Sequence, residues 1–197
     1  MQQPTMPSWA NSMMDRTPVA GPAGYYYADI PNRFIAYIID AIIVGIIGII
    51  ITAIIGGIFG GIVNTNVLSP NFGSVNYLAL LVVAIIGIAV NAGYFIYTWV
   101  AMRGTVGLRL LGMQIGNETD GRTLTYNQAA IRWVALFGPF ALAQFLSPWP
   151  TLGLLIELVA FIYLIVLLVT TAQSPTKQGL HDRYAHTMIV KAARMAG

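Results

Sequence analysis

The segment from residue 34 to residue 63 constrains the fold more than any other, because it is mainly Ile, Val, Ala and Gly and contains one acidic residue, Asp40. About 20 apolar residues are enough for a helix to cross the hydrocarbon core of a membrane. A charged side chain in such a helix costs on the order of 2.5–3.5 kcal/mol on insertion scales, and it normally faces protein or water rather than lipid. The segment therefore predicts a membrane-spanning helix, with Asp40 as the leading candidate for a functional residue.

The composition of the whole chain agrees with an integral membrane protein. Of its 197 residues, 57% are hydrophobic and 9% are charged, whereas soluble domains carry about 25% charged residues. The chain contains no cysteine, which excludes disulfides, thiolate metal sites and cysteine nucleophiles. Its basic residues are spread between the apolar runs, and this argues against a nucleic-acid partner. The partner that the composition predicts is the lipid bilayer.

Four apolar runs predict the transmembrane organisation. The expected spans are residues 34–58, 77–102, 128–147 and 152–172. The third run is short for a span, so a re-entrant or interfacial helix is the alternative there. With four crossings, all ten Lys and Arg residues fall on one side of the membrane. The positive-inside rule then favours four crossings, with both termini and the middle segment in the cytoplasm.

The domain boundaries follow from the same pattern. Residues 1–28 are expected to be a disordered cytoplasmic tail, in which the Tyr25–Tyr27 run reaches the membrane interface. Residues 29–191 form the predicted transmembrane domain, and residues 192–197 form a C-terminal tail.

Short strand-like segments outside the spans predict a small sheet. They are residues 110–115, 122–125 and 187–190, with turn residues at 117–121 between the first two. Such a pattern favours a β-hairpin that the last segment joins. The predicted fold class is an all-α membrane protein, a four-span transmembrane helical bundle with a small cytoplasmic β element.

Six segments match the pattern of one family of membrane proteins, in order and in spacing. They are Arg33–Asp40, Gly104–Gly112, Gly121–Thr125, Gln128–Trp133, Gly179–Arg183 and Thr187–Val190. Over residues 28 to 191 the chain resembles the RDD family of prokaryotic membrane proteins, which is named for one arginine and two aspartates. The resemblance implies a location in a prokaryotic cell membrane, and it implies that the name-giving residues are Arg33, Asp40 and Asp182.

The middle motif departs from the family pattern at one position. The usual glycine-lysine pair is Gly107-Leu108 in this chain, so a role for that lysine cannot be carried over. The resemblance implies a fold rather than a settled activity, and transport is a common suggestion for the family.

Arg33 and Asp40 are seven residues apart, so on a helix they lie on nearly the same face, about 10 Å apart along the axis. Side chains lean toward the helix N-terminus, which makes a direct pair unfavourable. Asp40 is therefore expected to bind a group on another element, for which Asn91, Arg109 and Arg183 are candidates. Two roles stay open for Asp40: a member of a buried ion-pair network that holds the bundle together, and a titrating proton or cation site.

Other polar residues complete the candidate site. Asn91 and Glu157 are interpreted either as part of an ion path or as helix-bridging groups. Asp182 is expected in a network at the membrane surface that fixes the final strand against the middle segment. The predicted cytoplasmic face carries Arg109, Arg122, Arg132, His181 and Arg183. His181 and His186 alone do not make a metal site, so no metal ligands are assigned.

Two function hypotheses follow from these residues. The first is ion- or proton-coupled transport centred on Asp40, and a chain of this size with few intramembrane charges would then be expected to form a homo-oligomer. The alternative is a non-transporting membrane scaffold or accessory protein that docks a partner or anionic lipid at its cytoplasmic face. The chain has no nucleophile elbow and no phosphate-binding loop. We therefore expect neither enzymatic activity nor a cofactor.

Overall fold

The structure is a computed structural model that describes residues 17–192. The long helices are α1 (Ile30–Phe59), α2 (Tyr77–Ala101), α4 (Tyr126–Phe145) and α5 (Pro150–Gln173), and the short ones are α3 (Val106–Leu110) and α6 (Leu180–Tyr184). The strands are β1 (Val19–Ala20), β2 (Tyr25–Tyr27), β3 (Met113–Asn117) and β4 (Thr187–Ala192). Helices make up most of this part of the chain, and the strands form the predicted small β element.

Within residues 17–192, three helices are long and apolar enough to cross a membrane, and they are α1, α2 and α5. The prediction of membrane-spanning helices is confirmed at this level. Helix α4 is 20 residues long, but its first turns contain Asn127, Gln128 and Arg132, and it is not among the three. Length and composition therefore leave the predicted fourth crossing open.

Local signals determine where these helices begin and end. The side chains of Asp29, Asn76 and Thr125 precede α1, α2 and α4, and each accepts a hydrogen bond from a backbone N–H three residues later. Such caps satisfy donors that the first turn of a helix leaves unpaired. Helix α1 ends at Gly60, whose φ of 73° is the left-handed conformation that glycine adopts without strain.

One antiparallel sheet brings the two ends of the described chain together. Its strand order is β1-β2-β4-β3, with Tyr26 opposite Lys191 and Ile115 opposite Ile189. Strand β2 leads into α1 and strand β4 follows α5, so the sheet lies at one end of the helical bundle. We call this the sheet end. The loops that join α1 to α2 and α4 to α5 lie at the opposite end.

The N-terminal segment differs from its prediction. Residues 19–27, expected within the disordered tail of residues 1–28, contain β1 and β2. The tyrosines of β2 pair with β4, because a strand far along the chain supplies hydrogen-bond partners that local sequence does not reveal. Residues 1–16 and all but the first residue of the predicted C-terminal tail lie outside the described residues.

The predicted hairpin is also corrected. Residues 122–125 do not form a strand, and β3 pairs with β4 instead. The backbone N–H of Asn117 donates to the carbonyl of Arg122 at 2.8 Å. This bond closes a tight turn, after which the chain leads into α4 without forming a second strand.

The long helices pack in the order α1–α2–α4–α5. Neighbours in this order share extensive contacts, whereas α1 and α5 share few. The shared core is aromatic near the sheet end, where Phe95, Trp99 and Phe137 are buried. Short helix α3 packs against α1 and carries the chain from α2 to the sheet. The open side of the bundle therefore lies between α1 and α5.

Candidate functional site

Asp40 is buried, with 2% of its surface exposed, and it is held by three neutral donors. The hydroxyl of Tyr94 donates to Oδ1 at 2.7 Å, the hydroxyl of Thr105 donates to Oδ2 at 2.5 Å, and the backbone N–H of Gly107 donates to Oδ1 at 2.9 Å. Within residues 17–191, no cationic group lies at ion-pair distance from Asp40. We call Asp40, Tyr94, Thr105 and Gly107 the Asp40 cluster.

The chain between α2 and β3 is folded so that it delivers two of these donors. Arg103 adopts a positive φ of 56°, which turns the backbone as α2 ends. Thr105 then caps α3 by accepting from the backbone N–H of Leu108 at 3.2 Å. The same hydroxyl donates to Asp40, so helix capping and carboxylate binding use one side chain.

Gly107 is fitted closely against α1. A Cβ atom at this position would collide with the carbonyl oxygen of Ala36 and lie 2.8 Å from its carbonyl carbon. Ala36 is itself 1% exposed, so the two backbones have no space to separate without disturbing the core. This close approach brings the N–H of Gly107 within reach of Asp40.

The partners of Asp40 are not the ones that the sequence suggested. Asn91 accepts a hydrogen bond from the indole N–H of Trp133 at 2.8 Å and so bridges α2 to α4. Arg109 and Arg183 are exposed. The sequence pointed to an amide on the second span or to a cytoplasmic arginine, whereas the actual donors are a backbone N–H and two hydroxyls.

Asp182 occupies a second buried site, and it is held by cations. It is fully buried, and the Nη1 atom of Arg132 forms an ion pair with its Oδ1 atom. Nη1 of Arg33 lies 3.6 Å from Oδ2, and the hydroxyl of Thr187 donates to Oδ1 at 3.2 Å. Nε2 of His181 lies 3.5 Å from Oδ2. We call these five residues the Asp182 cluster.

Arg33 ties three separate segments to this cluster. Its guanidinium donates to the carbonyl oxygens of Ala28 at 3.1 Å, Lys177 at 2.5 Å and Ile189 at 3.2 Å. These carbonyls belong to the segment before α1, the segment after α5 and strand β4. A planar guanidinium with five N–H donors suits such a role, and a lysine could not replace it. Arg33 and Asp182, which the family resemblance implies are name-giving residues, thus lie in one cluster.

Arg132 and His181 were predicted on the cytoplasmic face. The structure buries Arg132 and leaves the His181 side chain 12% exposed. Arg132 is 2% exposed, and its guanidinium carbon lies 5.1 Å from the ring centroid of Trp99, at cation–π distance. Its Nε atom has no hydrogen-bond partner among the described residues. Arg109, Arg122 and Arg183 are exposed, as a surface role requires.

The imidazole of His181 is held in its neutral form. Burial, followed by the charges of Arg132 and Arg33, lowers the pKa of His181 well below its usual range. A protonated imidazole would add a third cation beside one carboxylate, which explains the direction. Its Nδ1 atom has no hydrogen-bond partner within residues 17–191.

A cavity of about 320 Å³ lies between α1, α2 and α4, and we call it the middle cavity. Its polar lining includes Asn91 and Gln144, and its apolar lining includes Gly45 and Gly48. An added Cβ at either glycine would meet no atom within 4 Å. The glycines thus widen the space beside α1, and the two amides make the cavity able to hold water.

A second cavity, of about 200 Å³, lies closer to the sheet end between α1, α4 and α5, and we call it the lateral cavity. Arg33, Asp40, Arg132 and His181 line it together with many apolar side chains. It is therefore the place where the Asp40 cluster and the Asp182 cluster face a common space.

An aromatic layer separates the two cavities. Tyr37, Phe95 and Phe137 line both of them. The rings of Phe95 and Phe137 have centroids 4.5 Å apart, and Tyr37 stacks on Phe137 at 6.3 Å. These rings therefore lie between the middle cavity and the lateral cavity.

Glu157 lies outside this arrangement. It is exposed on α5 and lines neither the middle nor the lateral cavity. Its position in the fourth apolar run suggested a path residue, but its side of α5 faces away from the neighbouring helices. The geometry therefore does not support an ion-path role for Glu157.

Sequence reasoning did not select three residues that build the two clusters. Tyr94 and Thr105 bind Asp40, and Thr187 binds Asp182. Thr105 and Thr187 lay within segments already matched to the family, which was a usable signal. Tyr94 lies in an apolar run, and nothing in that run marked it as a hydrogen-bond donor to Asp40. Among the described residues there is no group of three or more His, Asp or Glu side chains able to hold a metal ion.

The three long apolar helices indicate a helical membrane protein. The model of the RDD family matches residues 27–186, and the chain belongs to that family. Neither the comparison with curated proteins nor the comparison with solved structures finds a match.

Proposed function

We propose that this protein transports protons or small cations across the membrane, with Asp40 as the membrane-buried group that binds them. The observation that carries the proposal is the position of Asp40. Its carboxylate lines the lateral cavity, and only the aromatic layer separates that space from the middle cavity. Ionisable residues inside membrane helices typically mark ion and proton pathways.

The surroundings of Asp40 suit reversible binding. An ionised carboxylate offers about four lone-pair positions, and the described residues fill three of them with neutral donors. Two of these donors are hydroxyls, which can turn and accept as well as donate. A proton or cation arriving at Asp40 would displace no buried counter-ion.

The proposed topology has four crossings, with α4 as the fourth span and both termini in the cytoplasm of a prokaryotic cell. Helix α4 is about 30 Å long at 1.5 Å per residue, and it lies between β3 and α5. Because β3 and β4 are neighbours in one sheet, the chain leaves the sheet end through α4 and returns through α5. Reporter fusions after Asn66 and Trp149 should be extracytoplasmic, and fusions after Asp120 and Gly197 should be cytoplasmic.

Flux into proteoliposomes tests the transport proposal. The wild-type protein should move protons or cations when a pH gradient is applied in Na⁺, K⁺ or Li⁺ buffers, and Asp40→Asn should abolish this flux. Glu157→Gln is the matched control, since it also converts a carboxylate to an amide but lies outside both cavities. Absence of flux in the wild type, or full flux in Asp40→Asn, would overturn the proposal.

The second candidate function is a non-transporting scaffold or accessory protein, and one observation favours it. Three arginines are exposed, namely Arg109, Arg122 and Arg183, and the Arg122 side chain is 86% exposed. The transport proposal assigns them no role, whereas a docking surface requires exposed charge. Such a face suits a partner protein or anionic lipid. Under this proposal the wild type shows no flux, and replacing the three arginines by glutamine weakens binding at that face.

A homo-oligomer is part of the transport proposal. The apolar faces of α1 and α5 are extensively exposed, for example at Ile46, Ile49 and Phe161, and lipid or a second copy could cover them. Native mass spectrometry of the protein released from membranes would show whether copies associate.

A further inference from the structure

We infer that the lateral cavity is a binding site for an anionic phospholipid of the leaflet at the sheet end. One acyl chain would enter between α1 and α5, and the phosphate would lie beside Arg33 and Arg132. This inference does not depend on transport by Asp40, and it concerns a site inside the bundle rather than the exposed arginines.

The apolar part of the cavity faces the open side of the bundle. Helices α1 and α5 share few contacts, so lipid can reach the space between them. Phe34 lines the cavity and is 55% exposed, which places it at the mouth. The walls further inside come from α4 and α5, at Leu136, Phe140, Leu164 and Leu168.

The polar part of the cavity carries a net positive charge in the Asp182 cluster. Arg33 and Arg132 contribute two positive charges and Asp182 contributes one negative charge, which leaves +1. Two buried polar atoms there, Nε of Arg132 and Nδ1 of His181, have no hydrogen-bond partner among the described residues. Such atoms are costly unless something binds them. The guanidinium Nε–H is a donor suited to a phosphate oxygen.

The direction of the cavity matches that of a membrane lipid. Thr171 and His181 line its end near the sheet, whereas Leu164 lies about 10 Å deeper along α5. Asp40 lines the deep end and would repel an anion, but its donors come from α2 and from the segment after α2. A phosphate therefore fits at the arginines, about 10 Å from Asp40 along α1, with the acyl chain running inward.

The size of the cavity selects among possible occupants. A helix with its side chains is about 10–12 Å wide. Even one turn of such a helix needs more space than the cavity volume of about 200 Å³. An acyl chain is much thinner than a helix, and it can extend out of the cavity into the bilayer between α1 and α5, so only part of it has to fit inside. A phosphate at its polar end matches the charge of the two arginines.

Lipid-dependent thermal stability of the purified protein in detergent tests the inference. A ligand that binds the folded state raises the melting temperature. Phosphatidylglycerol should raise it, whereas phosphatidylcholine and inorganic phosphate should not. An equal shift with inorganic phosphate would show that no acyl chain is needed, and an equal shift with phosphatidylcholine would show that charge is not recognised. Either result would overturn the inference.

Cavity-filling variants locate the site. Leu168→Trp on α5 and Phe140→Trp on α4 fill the cavity from two helices, and each should weaken phosphatidylglycerol binding at least about tenfold. Two variants are used so that failure of one to fold does not end the test. Leu158→Trp, at an exposed position of α5, is the control and should bind like the wild type.

Two further variants distinguish lipid binding in the lateral cavity from lipid binding at the protein surface and from transport. Arg109→Gln combined with Arg122→Gln removes surface charge, and it should keep the phosphatidylglycerol shift. If the shift disappears there and persists in the cavity-filling variants, the lipid binds the surface and the inference fails. Asp40→Asn removes a charge that repels an anion, so it should keep or increase the shift while losing flux, and loss of the lipid site and loss of transport are therefore distinguishable.

Discussion

The Asp40 cluster and the Asp182 cluster both bury a carboxylate, but they compensate its charge differently. Asp40 receives hydrogen bonds from two hydroxyls and one backbone N–H. Asp182 lies against the guanidiniums of Arg33 and Arg132. The first site holds an anion with neutral groups, and the second is an ion-pair network with excess positive charge.

This difference predicts which aspartate can lose its charge without unfolding the protein. Neutralising Asp182 leaves two buried cations without their counter-ion, and this is strongly destabilising. Neutralising Asp40 leaves only hydroxyl and amide groups, which can form hydrogen bonds with a neutral partner. The Asp182 cluster is therefore suited to holding the sheet against the helices, and the Asp40 cluster to a reversible reaction.

The largest expected effect is that of Asp182→Asn. Removing one partner of a buried ion pair costs about 3–5 kcal/mol in soluble proteins, and here two guanidiniums lose their carboxylate. The free energy of unfolding of the purified protein should fall by about this amount, and its melting temperature in detergent should fall with it. Asp120→Asn is the control, because Asp120 and Arg122 form an exposed pair that contributes little. Equal melting temperatures for the two variants would contradict the ion-pair assignment.

Gly107→Ala should follow in size and tests the packing of the Asp40 cluster. The new methyl group would collide with the backbone of Ala36, and overpacking of this kind costs about 1–3 kcal/mol or more. Gly93→Ala is the matched control on α2, where an added Cβ meets no atom within 4 Å. That substitution should be neutral or stabilising, since alanine is favoured over glycine in helices. A stable Gly107→Ala protein would mean that α1 and α3 can separate.

Asp40→Asn should cost less than about 1.5 kcal/mol of stability, the size of one or two hydrogen bonds. The amide oxygen can keep the donors Tyr94 and Gly107, and the amide nitrogen can donate to the Thr105 hydroxyl. The same substitution at Asp40 and at Asp182 thus provides the sharpest comparison of the two sites. If both variants lose stability equally, as measured by melting temperature, Asp40 is a structural residue and the contrast disappears.

At neutral pH His181 has the smallest expected effect, which appears as a pH dependence of stability under acidic conditions. Its pKa is lower in the folded protein than in the unfolded chain, so the unfolded state binds more protons below about pH 6.5. Stability should therefore fall as the pH decreases from about 6.5, by at most about 1.4 kcal/mol per pH unit for one group. His181→Gln should flatten the curve of melting temperature against pH between about 6.5 and 5.

His186→Gln is the control for that experiment. It also removes a histidine, but the His186 side chain is 74% exposed, so the steep part of the curve should remain. A wild-type curve that is flat over the same pH range would show that the imidazole of His181 is not held neutral by its surroundings.

Much of the helical architecture was predictable from local sequence. The apolar runs placed α1, α2 and α5 within a few residues of their observed bounds, because hydropathy acts over the length of a single helix. The capping residues Asp29, Asn76 and Thr125 act within one turn. Asp40 was recognisable as a buried acid for the same reason, since the cost of its charge depends on the residues around it in the chain.

The sheet and the partners of the two aspartates were decided only by the tertiary structure. Tyr25–Tyr27 is a strand because β4 lies beside it, and a strand needs a partner's backbone groups, which local sequence cannot supply. Asp40 meets Thr105 and Gly107 because α3 packs on α1, and Asp182 meets Arg33 because the sheet draws both chain ends together. Hydropathy and capping are local free energies, whereas these contacts depend on how distant segments are placed in space.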